Sequence, residues 1–237
     1  MNALRMADVR ERVQYEHRGV HQLQHGLPAD LRLWWIDLET YAAAISLEPG
    51  EAPHLAGDPP EEHISNRRWL LASRHASRWL LAESLGRAPE QLVIEIDPAG
   101  KPRLSDGAIR FNLSHSGRFG LVGICREREV GVDVEIIRPV PELDALVNAQ
   151  FTNTERAEWL RTAPANRNRR FLETWTRKEA CAKAMGTGFL IAPLLFAVGA
   201  GPEQVSVRID PPGGPAREVT VRSVQPCAEA VAAVAIV

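Results

Sequence analysis

Asp133, Glu135, Glu179 and Lys183 are the residues of this chain whose types and spacing suit them to chemistry. The first two lie in "GVDVE". Two residues apart on a strand, they project from one face with Cα atoms roughly 6.5 Å apart. Val132 and Val134 point the other way, into a core. Two carboxylates on one face repel each other and need solvent or a counter-charge. Mg²⁺ suits them, because hard cations take oxygen ligands. An edge strand with a polar outer face would show the same pattern. Glu179 and Lys183 lie in "WTRKEACAKAMG", four residues apart on one helix face. Trp175 shares that face, which points to partial burial, and Lys178 lies about 100° round the helix. As a surface pair Glu179 and Lys183 would contribute only about 0.3–0.5 kcal/mol. Partly buried, they can hold a metal-ligating acid beside a cation that receives charge.

A third stretch is "FNLSHSG". Asn112, Ser114 and Ser116 alternate with Leu113 and His115, and Gly117 ends the run. Serine hydroxyls, an imidazole and exposed backbone N–H groups suit a phosphate oxygen. A turn with hydrogen-bonded serines and a core histidine is the plainer reading. The chain has no Gly-x-Ser-x-Gly elbow, so a serine hydrolase has no support.

The elements that must position these residues are legible in outline. "LRLWWIDLET" reads as a strand and "SNRRWLLASRHASRWLLAESLG" as the clearest helix, capped by Gly86. "QLVIEID" reads as a strand and "PAGKP" as a turn that gives Gly100 positive φ. "AIRFNLSHS", "FGLVGICR" and "EVGVDVEII" are short strands. "ELDALVNAQF", "TNTERAEWLRTA" with a Thr/Asn cap, and "RRFLETWTRKEACAKAMG" are helices. "QVSVRID", "REVTVRSV" and "AVAAVAIV" are strands broken by "PPGGP". The order strands–helix–strands occurs twice, with a divide near Arg126–Val130. Residues 1–26 read as a polar helix. His17, His21 and His25 share a face there, which is a solvated face before it is a metal site. The Pro- and Gly-rich run from Pro49 to Pro60 reads as a loop.

The chain has 237 residues, 45% of them hydrophobic and 24% charged, ordinary soluble composition. A net charge of −2 argues against bulk binding to nucleic acid or anionic membrane. Cys125, Cys181 and Cys227 are widely spaced and odd in number, as expected of reduced thiols in a cytoplasmic protein. Cys181 reads as a small buried filler. No run approaches the roughly 20 apolar residues of a membrane span, and the N-terminus lacks a signal-peptide core.

Taken together and in order, "GKP … FNLSHSG … VGVDVE … FLETWTRKEACAKAMGTGF" closely resembles the surfactin-type 4′-phosphopantetheinyl transferases, from about Leu31 to the C-terminus. The resemblance implies an α/β (α+β) pseudo-dimer. It has two similar halves, each a long helix on a mostly antiparallel sheet, with the active site in the cleft between them. The halves would be residues 27–127 and 128–237, after an extension of residues 1–26 that falls outside the resemblance. It implies a cytoplasmic, monomeric enzyme. Such an enzyme moves the phosphopantetheine arm of coenzyme A to a serine of an acidic apo acyl or peptidyl carrier protein and releases adenosine 3′,5′-bisphosphate.

Carried over by motif, Asp133, Glu135 and Glu179 would bind Mg²⁺, and Glu179 would also act as base toward the carrier serine. Lys183 would contact the diphosphate. Asn112, Ser114 and His115 would line the coenzyme A site, Ser114 and His115 at its phosphates. Lys101 would lie beside the nucleotide, and Arg67 and Arg68 would hold the 3′-phosphate. The catalytic set would be Glu179, Lys183 and Asp133. Arg161, Arg167, Arg169, Arg170 and Arg177 form a basic run suited to steering an acidic carrier. The alternatives are another Mg²⁺-dependent nucleotide phosphohydrolase using the same carboxylates, and a non-catalytic coenzyme A-binding module.

Overall fold

The computed structural model describes residues 19–45, 64–186, 191–211 and 214–237. Strand β1 (Val20–Gln22) leads to β2 (Leu31–Asp37), helix α1 (Leu38–Ala44) and the long α2 (Ile64–Leu85). A small hairpin, β3 (Ile94–Ile96) and β4 (Pro102–Leu104), precedes β5 (Arg110–Ser116) and β6 (Phe119–Cys125). The second part runs β7 (Val130–Ile136), α3 (Leu143–Gln150), α4 (Asn153–Arg161), α5 (Arg167–Met185), β8 (Val205–Ile209), β9 (Arg217–Cys227) and β10 (Ala230–Ile236).

Two antiparallel four-stranded sheets result, ordered β1-β2-β6-β5 and β7-β10-β9-β8. Each part follows one path: a strand, a long helix, then a hairpin whose second strand pairs with the first strand. The linker at residues 126–129 joins β6 of one sheet to β7 of the other.

The periodicity of the strands assigns their faces. On β2, Trp34 and Ile36 join the helical side with Ala72, Ala76, Leu80 and Leu81 of α2. Leu31, Leu33 and Trp35 face the other sheet, where they meet Val130, Val132 and Val134 of β7 and Val234 of β10. Each of these valines is at most 1% exposed, and burying one contributes about 1.5–3 kcal/mol. Ala233 and Ala235 of β10 face α5, against Ala180, Cys181 and Ala184. The order of layers is therefore helix, sheet, sheet, helix.

Three expectations change. "LRLWWIDLET" is a strand only to Asp37, whose carboxylate accepts the Thr40 N–H at 3.1 Å and starts α1. Such a cap contributes about 1 kcal/mol. The helix expected over residues 1–26 does not extend through its described part. Val20–Gln22 pairs with Trp34–Ile36 as an edge strand, because tertiary pairing outweighs the weak local preference of three residues. Third, the histidine stripe is not a stripe. His17 lies outside the described residues, and His25 braces a loop, with Nε2 at 2.9 Å from the Leu31 carbonyl oxygen and Nδ1 accepting the Leu27 N–H. The loop expected from Pro49 to Pro60 also lies outside the described residues.

Candidate active site

β7 and β5 are each an edge strand of their sheet, and they meet along a seam. An edge strand leaves N–H groups unpaired, and β5 supplies side chains to them. The Asn112 side-chain oxygen accepts the Val132 N–H at 2.8 Å, and the Ser116 hydroxyl accepts the Ile136 N–H at 3.2 Å. The serines also reach the carboxylates. Ser114 donates to Asp133 Oδ1 at 2.9 Å and Ser116 to Glu135 Oε2 at 2.8 Å. The alternation Asn-Leu-Ser-His-Ser thus knits one sheet to the acids of the other.

Helix α5 closes the site from the other side, and Gly131 permits it. A Cβ there would sit 2.1 Å from the Ala180 carbonyl oxygen and 2.3 Å from the Ala184 nitrogen, both helix backbone. Gly131, Asp133 and Glu135 share a strand face, so the close approach at Gly131 delivers the two carboxylates to α5. Trp175, Glu179 and Lys183 form a half-buried stripe along that helix. Trp175 stacks on Phe171, and Phe171 on Phe151, at centroid distances of 6.1 and 5.3 Å.

Lys183 donates to Asp133 Oδ1 at 2.6 Å and to Ser114 Oγ at 3.3 Å. It forms no ion pair with Glu179, its neighbour one turn back: the described residues pair Lys183 with Asp133 instead. Asp133 Oδ2 is buried and has no hydrogen-bond partner. Burial, with Asp133 adding to it, pushes the Glu179 carboxyl up to about 6; Lys183 opposes the rise. Glu135 is raised by burial first and Asp133 second. These are the marks of carboxylates short of positive charge. Among the described residues, no three acid, histidine or cysteine side chains already converge as ligands of one ion. The donor chemistry fits a hard divalent cation nonetheless: all oxygens, with one buried lone pair unused.

The other expected residues fall around this centre. His115 lies on β5, its pKa lowered by burial first and then by Lys183 and Arg74. Arg67 and Arg68 are half-buried near the start of α2, and Arg68 Nε is buried without a hydrogen bond. The next residue, Trp69, borders Gly117 at the far end of β5. A cleft lined by Gly100, Lys101, Asn112, Lys183 and Gly186 runs from the opposite end. Two of these residues also bond to the second part of the chain. Asn112 Oδ1 is engaged by the β7 backbone. The Lys101 ammonium bonds to Glu129, Val130 and Lys183 rather than facing the cleft.

Sequence reasoning missed Glu155. It pairs with Lys178 at 2.8 Å, both almost wholly buried. It also accepts the Thr152 hydroxyl and the Val198 N–H. Lys178 precedes Glu179 in sequence yet faces the loop after α5, where it donates to the Pro193 and Phe196 carbonyls. Arg177 leaves the basic run as well. It is 0% exposed and donates to Val198, Gly201 and Glu203 carbonyls and to Ser223. The sequence signal was there: each step round a helix is about 100°, so three consecutive charges cannot share one face.

A family model described as the 4′-phosphopantetheinyl transferase superfamily matches residues 129–235. The putative 4′-phosphopantetheinyl transferase slr0495 of Synechocystis is 38% identical over 62% of this chain and 59% of its own. The 4′-phosphopantetheinyl transferase AcpT of Salmonella typhimurium is 37% identical over 60% of this chain and 70% of its own. The chain belongs to the 4′-phosphopantetheinyl transferase superfamily. A third member, psf-1 of Bacillus pumilus, is 33% identical over 53% of this chain and 52% of its own. The chain thus spans from about half to about two thirds of the length of the relatives it matches. The matched family segment holds β7 and α5, and with them every carboxylate of the site and Lys183. No described helix is long and apolar enough to cross a membrane.

Proposed function

We propose that this protein is a transferase of the surfactin type. It would move 4′-phosphopantetheine from coenzyme A to a serine hydroxyl of an apo carrier protein, with adenosine 3′,5′-bisphosphate as by-product. The observation that carries the reading is the seam itself. Asp133, Glu135, Glu179 and Lys183 meet where the two sheets join, and Asp133 presents a buried oxygen with no partner. The repeated path of the two parts supports an internal pseudo-dimer, with this seam as its cleft.

Asp133, Glu135 and Glu179 would hold Mg²⁺, which when bound supplies positive charge to the diphosphate. The chain does the rest. Lys183, already at the carboxylates, and His115 orient the diphosphate from two sides. Glu179 accepts the proton of the carrier serine as its oxygen attacks phosphorus. In the metal-free protein burial and then Asp133 raise the Glu179 pKa to about 6; bound Mg²⁺ would lower it, and the carboxylate form is the one that accepts the proton. Positioning and charge neutralisation contribute most in such transfers, since little covalent chemistry falls to the protein. Trp175, fixed by its aromatic stack, keeps water from one side. Exposed Arg161, with half-buried Arg167, Arg169 and Arg170, would steer an acidic carrier.

Mass spectrometry of candidate apo-carrier proteins incubated with coenzyme A, Mg²⁺ and this protein tests the reading. The expected result is a gain of one phosphopantetheine arm on a serine. Release of free phosphopantetheine without carrier modification would instead make the protein a phosphohydrolase.

A further inference from the structure

Lys101 is 8% exposed. Its ammonium has three protons, and three acceptors surround it: Glu129 Oε2 at 3.0 Å, the Val130 carbonyl at 3.0 Å and the Lys183 carbonyl at 2.9 Å. These acceptors belong to the interdomain linker, to the start of β7 and to the last turn of α5. The β3–β4 hairpin that carries Lys101 is itself fixed. Gly100 takes φ +85° at its turn, Asp97 accepts the Lys101 N–H at 2.8 Å, and Arg103 pairs with Asp97 at 2.9 Å. Glu129 is held from its other oxygen by Arg103 at 2.8 Å and Arg110 at 3.1 Å. One lysine of the first part thus bridges both walls of the site in the second.

We propose that Lys101 is a positioning residue that, with Glu129, sets the last turn of α5 against β7 and thereby places Lys183. The helix end suits the arrangement. The last carbonyls of a helix lack i+4 donors and carry partial negative charge; the Lys183 carbonyl accepts both the Gly186 N–H at 3.2 Å and the Lys101 ammonium at 2.9 Å. The capped residue is Lys183, whose own side chain lies 2.6 Å from Asp133. A ligand role for the Lys101 ammonium would require it to abandon three acceptors at once. Lys101 lines the cleft with its stem and turns its charge into the protein.

The effect on turnover rests on the transferase reading; the strut does not. Two variants test it: Lys101→Met, which keeps the stem and removes the charge, and Glu129→Gln, which keeps shape and leaves Lys101 only neutral acceptors. Hydrogen exchange of the metal-free protein is the first readout. Both variants should lose protection in the last turn of α5 by about tenfold, as expected for one net hydrogen bond. Protection in α2 should stay unchanged. Kinetics with a carrier is the second. Both variants should lower kcat by roughly ten- to a hundredfold, the cost of misplacing a group by an ångström or so, and change KM for coenzyme A to the same extent as each other, since both act through Lys183. If Lys101→Met raises KM for coenzyme A tenfold while Glu129→Gln leaves it unchanged or lower, Lys101 is a nucleotide ligand and the strut is wrong. Wild-type exchange in both variants also overturns it. If no carrier is modified even by the wild-type protein, the transferase reading fails and exchange alone decides the strut.

Discussion

Replacing Gly131 by alanine should move helix α5, and the size of the effect follows from the contacts. Gly131 is a strand residue without positive φ, so its backbone does not require glycine. The space does. The new Cβ would lie 2.1 Å from the Ala180 oxygen, 2.3 Å from the Ala184 nitrogen and 2.9 Å from the Lys183 carbonyl carbon, all backbone atoms that cannot rotate away. Ordinary contact begins near 3.4 Å, so α5 or β7 must shift by about 1.3 Å. Overpacking of this kind costs about 1–3 kcal/mol, and rigid neighbours put this case in the upper part of that range. For a chain of this length the midpoint should fall by roughly 5–10 °C. The same shift carries Lys183 from 2.6 Å beyond the roughly 3.2 Å limit of a hydrogen bond to Asp133. Turnover should therefore fall by about a hundredfold, more than the stability loss explains. Gly123→Ala is the control. Its Cβ meets only side chains, Val132 at 2.8 Å and Val130 at 3.0 Å, on the face away from α5. Thermal denaturation and steady-state kinetics of both variants are the assay. If Gly131→Ala melts like wild type, or loses no more activity than Gly123→Ala, close packing at Gly131 does not set the site.

Glu179→Gln should stabilise the metal-free protein at pH 7.5 while abolishing most turnover. The folded-state pKa is raised to about 6, so the folded state binds the proton more tightly. That stability is present below the ordinary value near 4.5 and lost as pH rises to 6. The full shift equals about 2 kcal/mol, nearer 1 for a half-buried group. Urea denaturation at pH 4 and 7.5 checks it, and equal pH dependence in both proteins is the contrary result. Lys178→Met strands buried Glu155 and should cost about 3–5 kcal/mol, whereas Lys178→Met with Glu155→Met should recover part of it, short of the Val198 N–H that loses its acceptor. Chemical denaturation that finds the double variant no better than the single would show that the pair is not the coupled unit. His115→Ala should weaken coenzyme A in calorimetric titration more than it weakens Mg²⁺, and an unchanged coenzyme A affinity would count against a phosphate contact.

The sequence alone determined which residue types suit chemistry and the face each occupies on its own element. Asp133 and Glu135 had to share a strand face because side chains alternate. Trp175, Glu179 and Lys183 had to share a helix face because they lie four apart. The Thr152 cap, the Gly186 stop at φ +68° and the turn at Gly100 were equally local. What each face meets was not local. Arg177, Lys178 and Glu179 are adjacent, yet Arg177 and Lys178 are wholly buried against the loop that returns from α5, and only Glu179 turns to the carboxylates. Lys183 could have paired with Glu179 by helix geometry; the approach of β7, permitted by Gly131, gave it Asp133 instead. The spacing of Lys101 and Ser114 did not show that the second part of the chain would pack against them and engage their side chains. Sequence spacing fixes directions about one axis. Which partner saturates a buried charge depends on desolvation by elements 28 to 82 residues away, and that is decided only when the two sheets close on each other.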